Sequence, residues 1–571
     1  MNILENLTIL YEDLAEKGEV TPFGWSPIKI SYILDIDLDG NLNSASSVLE
    51  ELTSAKGKTF FAPQVFELPA AAARSSGLCP NFLWDNALYS LGLDTKGKPE
   101  RALNSFKAFK NFHHKLLDEV NTPMVKALLR FLDHWSPLDA PENPKIQGIY
   151  EDLLKGSNLT FTVNGELLTD DISIKHAWDT YYRETDGPLV QCLVTGAWEP
   201  LVMVHPAIKK LEGAQSTGAK LVSFNEASFN SYGHSQGENA PVCKYAAFAY
   251  TTALNYLLEH RVQTSRFGTC TILYWCIGLE KSREEVLIEA MKQLIAGNRV
   301  KDLSEDLLDE PIFILGISPN VSRIYPKFFF QDTIRNLVLN VDEHHRRMEI
   351  VKPSYDQFED VPMWMMFNNL VRPGGELPER TQNSIVKAVI AGTSYPYTMV
   401  TNALLRTRAE KDIDRTKAAI IKAYFLQNQN QDCPKEVLTV SLNEESTNLP
   451  YNLGRLFSIY ETVQDAAIDN ISASIKDRYF SSAMTSPGAV FAVLTKLHTA
   501  HMRKLERKSK YDGKAAWAFY TYAPQVDKIL SLMTESFPAH FSSAEQGAFC
   551  LGYYHQNQKR YEKKNNTKEE V

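Results

Sequence analysis

The sequence predicts an α+β protein, a mixed α/β N-terminal region followed by an all-α C-terminal helical bundle. Two observations predict this class. Over residues 1–350, short apolar runs closed by Gly, Asn and Asp turns alternate with helical spacing. After about Pro353 strand runs almost disappear and 3.6-residue periodicity takes over. A third observation sets the scale: 571 residues, 44% of them apolar, exceed one core and suffice for two or three domains. The expected division is 1–350 mixed α/β, 351–440 helical connecting region and 441–571 helical bundle.

In chain order, Ser26 to Gly40 is an apolar run ending in Asp-Gly and predicts a strand and hairpin. Pro99–Leu117 and Pro123–Trp135 carry helical spacing opened by Pro, and Leu159–Leu168 predicts a hairpin around Asn164-Gly165. Gly187–His205 holds two apolar runs separated by a Gly, and Cys270–Ile277, Ile312–Ile317 and Ser322–Phe330 are short buried strands. KLVSF at Lys220 opens like a strand, and helices start near Pro241 and Ser282. The bundle side predicts helices over Leu377–Gly392, Tyr397–Ala409, Ile413–Asn428, Leu453–Asn470, Ile475–Met484, Gly488–Arg507, Trp517–Phe537 and Ser543–Gln558. Gln427–Pro450, rich in Asn, Gln, Glu and Ser, predicts a linker, and the polar tail after Gln558 predicts disorder.

A net charge of −9 excludes a uniformly basic protein but leaves room for local basic stripes. Seven cysteines without a C-x-x-C pair predict reduced thiols and no structural zinc. No segment has the apolar length of a membrane span and the N-terminus lacks a signal-peptide pattern, so a cytoplasmic protein without membrane contact is expected. DIDLDG at Asp35 copies half a calcium loop but has Ser46 where the bidentate Glu belongs, which leaves a hairpin turn. GAQSTGAK at Gly213 departs from a phosphate loop by its extra Ala219 and lacks the Ser or Thr that follows the Lys. His344-His345 admits a metal-dependent nuclease or hydrolase reading, yet no H-E-x-x-H or G-x-S-x-G accompanies it, and no catalytic residue, metal or cofactor is otherwise implied.

Three stretches carry binding chemistry. In Pro487–Tyr511, at about 100° per residue, Lys496, Arg503, Arg507 and Lys510 share one stripe beside an apolar face of Val490, Val493, Leu494, Leu497 and Leu505. Cations about a turn apart suit successive phosphates; the alternative is a solvated helix face. Around Arg74, Ser75, Ser76, Asn81 and Asn86, a turn precedes a helix with side chains suited to bidentate hydrogen bonds; alternatively Asn81 is a helix cap and Trp84 and Tyr89 are core. In KLVSFNEASFNSYGHSQGENAPV, Lys220 to Val242, Asn225, Asn230, Gln236 and Asn239 either cap and close a tight turn or face a ligand.

Six blocks occur in one order: RSSGLCPNFLWDNALYSLGLD, KLVSFNEASFNSYGHSQGENAPVCKYAAFAYTTALNYLL, ILGISPNVSRI, YNLGRLFSIYETVQDAA, IKDRYFSSAMTSPGAVF and FSSAEQGAFCLGYYHQNQ. Together they resemble the large subunit of the type I-C CRISPR interference complex (Cascade), the Csd-type subunit, over almost the whole chain. The resemblance implies a non-catalytic subunit that recognises the protospacer-adjacent motif in duplex target DNA, promotes R-loop formation and stabilises the displaced strand. Its implied partners are the guide CRISPR RNA, the Cascade backbone subunits, the handle-binding subunit, small-subunit copies and the helicase-nuclease. Carried onto this chain, Arg74, Ser75, Ser76, Asn81 and Asn86, then Asn225, Asn230, Gln236 and Asn239, then Asn320 and Arg323, are candidates for motif or guide contact, and Lys496, Arg503, Arg507 and Lys510 for the displaced strand. The resemblance also likens the bundle to a separate small subunit made by internal translation initiation. A nuclease on His344/His345, and a scaffold without DNA contact, remain the alternatives.

Overall fold

The computed structural model describes residues 2–53, 59–72, 78–94, 97–183, 187–260, 263–301, 303–469 and 471–566. The chain divides into two compact units, one of residues 1–210, 214–259 and 321–323, the other of 211–213, 260–320 and 324–571.

In the first unit the strand Tyr32–Ile36 runs parallel to Asn158–Val163 and antiparallel to Leu42–Ser47, and Trp84–Asn86 pairs with Asn158–Val163 on its other side. Helices Pro99–Leu117 and Pro123–His134 join Ile172–Arg183 in covering this sheet, so that Leu34, Phe109, Leu128, Phe131 and Phe161 form one core. The expected single strand from Ser26 is broken at Ser31. Residues Trp25–Ile30 pair instead with Thr59–Pro69 in a separate antiparallel sheet, while the Ser31 N–H donates to the Asn158 carbonyl. The Asn164-Gly165 hairpin has φ of 50° and 86°, as its two-residue turn requires. The Asp35 side chain of the DIDLDG turn, expected to point outward, instead has its carboxylate accepting from Thr162 Oγ1 (2.8 Å) and Gly165 N (2.7 Å). The helix after Pro241 runs Lys244–His260 and buries Ala246, Ala249, Tyr250, Ala253 and Leu257.

The second unit begins with a four-stranded sheet ordered Thr264–Phe267, Cys270–Trp275, Pro311–Asn320, Arg323–Thr333. Helices then follow from Ile334–Met348 to Ser543–Asn566. One hydrophobic core runs from Cys270 through Ile421 and Phe457 to Tyr554. Its axis is the helix Leu449–Ala467, buried along almost its full length against Ser543–Asn566. Gly454 and Gly552 set the closeness of this pair: a Cβ at Gly454 would stand 2.0 Å from the Phe549 carbonyl oxygen, and one at Gly552 2.0 Å from that of Tyr451.

Two expectations fail here for packing reasons. Gln427–Pro450 is no free linker, because Cys433, Val437, Leu438 and Leu449 are buried in the common core and Val351 N–H donates to the Val440 carbonyl. The last helix does not stop at Gln558 but continues to Asn566, with Arg560 donating to Thr462 Oγ1 at 3.2 Å and Lys559 paired with Glu444. Similarly, the helix expected from Trp517 starts at Gly513, where the Asp512 carboxylate accepts from Lys514 N and Ala515 N.

Both units bury neutral histidines. Burial pushes His113, His205 and His498 down to about 4, and His344 and His555 to about 3. The unfolded chain takes up these protons near 6.5, so between about pH 6.5 and 4 it binds more protons than the folded chain. Stability is therefore complete above about pH 6.5 and falls on acidification by about 1.4 kcal/mol per pH unit for each ring. Thermal scans between about pH 7.5 and 5 are expected to show a level midpoint down to about pH 6.5 and a falling one below it; a flat profile throughout would show that these rings are charged in the fold.

Candidate nucleic-acid interface

The stretch from Lys220 does not form the expected strand. Only single bridges pair Ala219 with Ile208 and Lys220 with Arg323, after which the chain turns through the short 3-10 segments Ala227–Phe229 and Gln236–Asn239. Its polar side chains divide into two kinds. Asn239 Oδ1 accepts from Ser231 N (2.9 Å) and its Nδ2 donates to the Gln236 carbonyl (3.0 Å) and to Asn230 Oδ1 (3.5 Å), so Asn230 and Asn239 hold the turn. Ser235 and Glu238 form a reciprocal capping box, and those hydrogen bonds from the Ser235 backbone and hydroxyl hold the Glu238 carboxyl below its usual range. Gly237 fits against Val202 and Met203; a Cβ there would stand 2.2 Å from the Val202 carbonyl oxygen.

Gln236 is the second kind. Its backbone is left-handed (φ 43°), its side chain is exposed, and its amide has no hydrogen-bond partner among the described residues. Beside it lies a cavity of about 70 Å³ lined by His205, Lys220, Ser223, Phe224 and Asn225. Asn225 Oδ1 accepts from Arg323 at 2.6 Å, and the guanidinium stands 4.2 Å from the centre of the Phe229 ring. Lys220 thus lines the same cavity as a free amide that can both donate and accept, and Arg323 is tied to that lining through Asn225. His205 stays neutral, through burial and then the Lys220 charge, and its Nδ1 pairs with the Tyr250 hydroxyl at 2.8 Å. Tyr232, also left-handed (φ 52°), is 97% exposed.

The other predicted positions distribute differently. Arg74, Ser75 and Ser76 lie outside the described residues. Asn81 is buried, its Oδ1 accepting from Ala72 N at 2.9 Å, and the helix cap is Asn86, which accepts from Leu88 N at 3.2 Å. Trp84 and Tyr89 are core, as the structural alternative held. Asn320 is exposed at the end of its strand, before Val321 at φ 55°.

On the helix Pro487–Lys508, the face carrying Val490, Leu494, His498, His501 and Leu505 is buried, with His498 stacked on Tyr460 at 4.2 Å. Val493, expected on that face, is exposed. Lys496, Arg503 and Arg507 are exposed and have no ion-pair partner among the described residues, and Lys510 follows in the turn beyond the helix end. Lys508 is instead paired with Asp469 at 2.8 Å. The adjoining helix Gly513–Ser531 packs on this one and exposes Trp517 (55%) and Tyr520 (72%), with Tyr511 in the connecting turn. Sequence reasoning placed these aromatics in a helix without exposing them. The Phe229 stack and the Tyr232 projection were missed as well; the S-x-x-E capping box at Ser235 was the signal that could have located the turn.

His344 and His345 are buried side chains with packing partners: His344 Nδ1 meets the Tyr395 hydroxyl at 2.7 Å and His345 Nε2 donates to the Gly297 carbonyl at 2.8 Å. Burial pushes both below the usual imidazole range. His344 and His345 therefore do not form an exposed imidazole pair. Among the described residues, no group of three His, Cys, Asp or Glu is placed to hold a metal ion, and no helix is long and apolar enough to cross a membrane.

No curated protein matches the chain. The family model described as CRISPR-associated protein (Cas_Csd1) matches residues 7–561, which spans both units, the polar turn and the cationic helix. The chain belongs to the Cas_Csd1 family of CRISPR-associated proteins.

Proposed function

We propose that this Csd-type protein is the non-catalytic large subunit of a type I-C CRISPR RNA-guided surveillance complex. In that role it recognises the adjacent motif in target DNA, supports R-loop formation and holds the displaced strand. The observation that carries this reading is the Gln236 amide, exposed on a capped, left-handed turn and lining one cavity with Lys220 and with the Asn225 that holds Arg323. An amide that donates and accepts side by side matches the major-groove edge of adenine, and the Lys220 and Arg323 cations match the phosphates that position it. Guide pairing then reads the remaining target sequence, and the chain supplies shape, backbone and motif contacts to the guide RNA, the backbone and handle-binding subunits and the helicase-nuclease.

The test is binding of the reconstituted complex to target duplexes with and without the motif. Gln236→Ala is expected to reduce motif discrimination by about 1–3 kcal/mol, while affinity for motif-free DNA stays the same. Arg323→Ala is expected to weaken both equally, since it contacts phosphate. A complex that lacks this chain and still finds its target would establish the scaffold reading instead.

A separate small subunit from the same gene is part of the proposal. The buried 433–438 segment, and helix Arg415–Gln427 packed on Ser543–Asn566, mean that a product starting near residue 441 leaves apolar surface for another chain to cover. Untagged expression followed by intact-mass measurement is expected to show this shorter product only inside the assembled complex; full-length chain alone would remove it from the proposal.

A further inference from the structure

Cys192 follows the strand Leu189–Gln191, and Cys243 immediately precedes the helix Lys244–His260. The Cys192 sulfur accepts three backbone N–H groups, from Val194 (3.4 Å), Thr195 (3.5 Å) and Cys243 (3.3 Å). The Cys243 sulfur accepts from Ala246 N (3.4 Å) in the first turn of the helix. Both side chains are buried, and the Cys243 N–H donating to the Cys192 sulfur at 3.3 Å brings the two residues side by side.

Burial alone raises a thiol's proton affinity, as it does for Cys433 and Cys550. Cys192 goes the other way. The Cys243 thiol donating to it is the largest cause, and the N–H groups of Cys243 and Thr195 reinforce it, so Cys192 lies far below the usual thiol range. Cys243, which gives up its hydrogen bond to Cys192, is buried and stands beside Glu199, is pushed up correspondingly. One sulfur thus sits in a nest of backbone donors, which favours its thiolate, and the other belongs to the residue whose N–H is part of that nest. This is the division that disulfide formation needs, with an attacking sulfur and a resolving one.

We propose that Cys192 and Cys243 form a reversible dithiol–disulfide modification site that takes an oxidant of the peroxide class, and that its disulfide closes a covalent loop containing the polar turn of Asn225, Gln236 and Asn239. The Cys192 thiolate attacks one oxygen of hydrogen peroxide, the O–O bond breaks, hydroxide leaves and takes a proton from solvent, and Cys192 becomes a sulfenic acid. The Cys243 sulfur then attacks that sulfur, the S–S bond forms, the S–O bond breaks, and the departing hydroxide leaves with the Cys243 proton as water. Two thiols lose two electrons and the peroxide gains them. The chemistry does not depend on what the turn binds.

The full-length protein, treated natively with hydrogen peroxide, then denatured, alkylated and digested, provides the test. The expected product is a single cross-linked peptide pair joining Cys192 to Cys243, reversed by dithiothreitol, with Cys270, Cys276, Cys433 and Cys550 still alkylated. Cys243→Ser is expected to stop at a Cys192 sulfenic acid that dimedone captures. The wild-type measurement stands whether or not that variant folds. The proposal is overturned if both thiols remain alkylated after peroxide oxidises the partly exposed Cys79, or if Cys192 proceeds to sulfinic acid without cross-linking.

Discussion

Gly454→Ala is expected to be among the most destabilising single substitutions in the second unit. The added methyl would meet the Phe549 carbonyl oxygen at 2.0 Å and the Tyr553 nitrogen at 2.8 Å, and both are backbone atoms of the facing helix. A flexible side chain could rotate away, but a helix backbone must translate, and this pair is tied at several points along its length. The Tyr451 hydroxyl meets His555 Nδ1 at 2.9 Å, Ser458 donates to Asn557 Oδ1 at 2.6 Å, and buried Arg455 donates to Gln556 at 3.3 Å. Separating the helices would break these buried hydrogen bonds together, so a cost of about 3 kcal/mol or more is expected, at the upper end for overpacking. Gly552→Ala should do the same from the other side, and the two effects should not add, since either one already forces the separation. Gly513→Ala is the control in the same unit: a Cβ there meets nothing within 4 Å, and removing a glycine's unfolded-state freedom should leave stability unchanged or raise it by about 0.5 kcal/mol. Chemical denaturation with a bundle-sensitive signal would separate these variants. Equal midpoints for Gly454→Ala and Gly513→Ala would mean that the two helices do not pack backbone to backbone.

What was legible follows from which forces act locally. The helix Pro99–Leu117 was bounded at both residues, because Pro at its first position and a regular apolar spacing are written in the chain. The Asn164-Gly165 hairpin was legible because left-handed backbone has few residue types that accept it. Long-range competition was not legible. Nothing local in the run after Ser26 says that the Asn158 carbonyl will take the Ser31 N–H and pass the chain from one sheet to the next. Nor does the polarity of 427–450 reveal that Cys433 and Val437 are buried against other helices. The polar turn shows the same limit at the level of chemistry. Asn and Gln in a row announce hydrogen bonding, but Asn230 and Asn239 use it on the turn itself and Asn225 on Arg323, which leaves Gln236 free. Side-chain type names the capacity, and only the fold decides which capacity is already satisfied.

The cationic helix offers the second large effect, and here two kinds of binding can be told apart by how each responds to salt. Arg503 and Arg507 have no ion-pair partner among the described residues, so a phosphate would be their first counter-charge. Replacing either arginine by Ala should flatten the log-log salt dependence of single-stranded DNA binding by about 0.7, and replacing both by about 1.4. Lys508→Ala should change the slope less, since Asp469 already neutralises that cation. Trp517 and Tyr520 stand one turn apart on the packed neighbouring helix, and their exposure has no use in the core. If bases stack on them, Trp517→Ala should lower single-strand affinity by about 1–3 kcal/mol while the salt slope stays the same, because stacking releases no counterions. Duplex DNA, whose bases are already stacked on one another, should lose little affinity with that variant. Parallel loss for single strand and duplex, or a salt slope that the arginine pair leaves untouched, would mean that this surface receives protein. Exposed aromatic rings favour a single strand over a duplex, because a duplex presents its phosphates but withholds the flat base faces on which such rings stack.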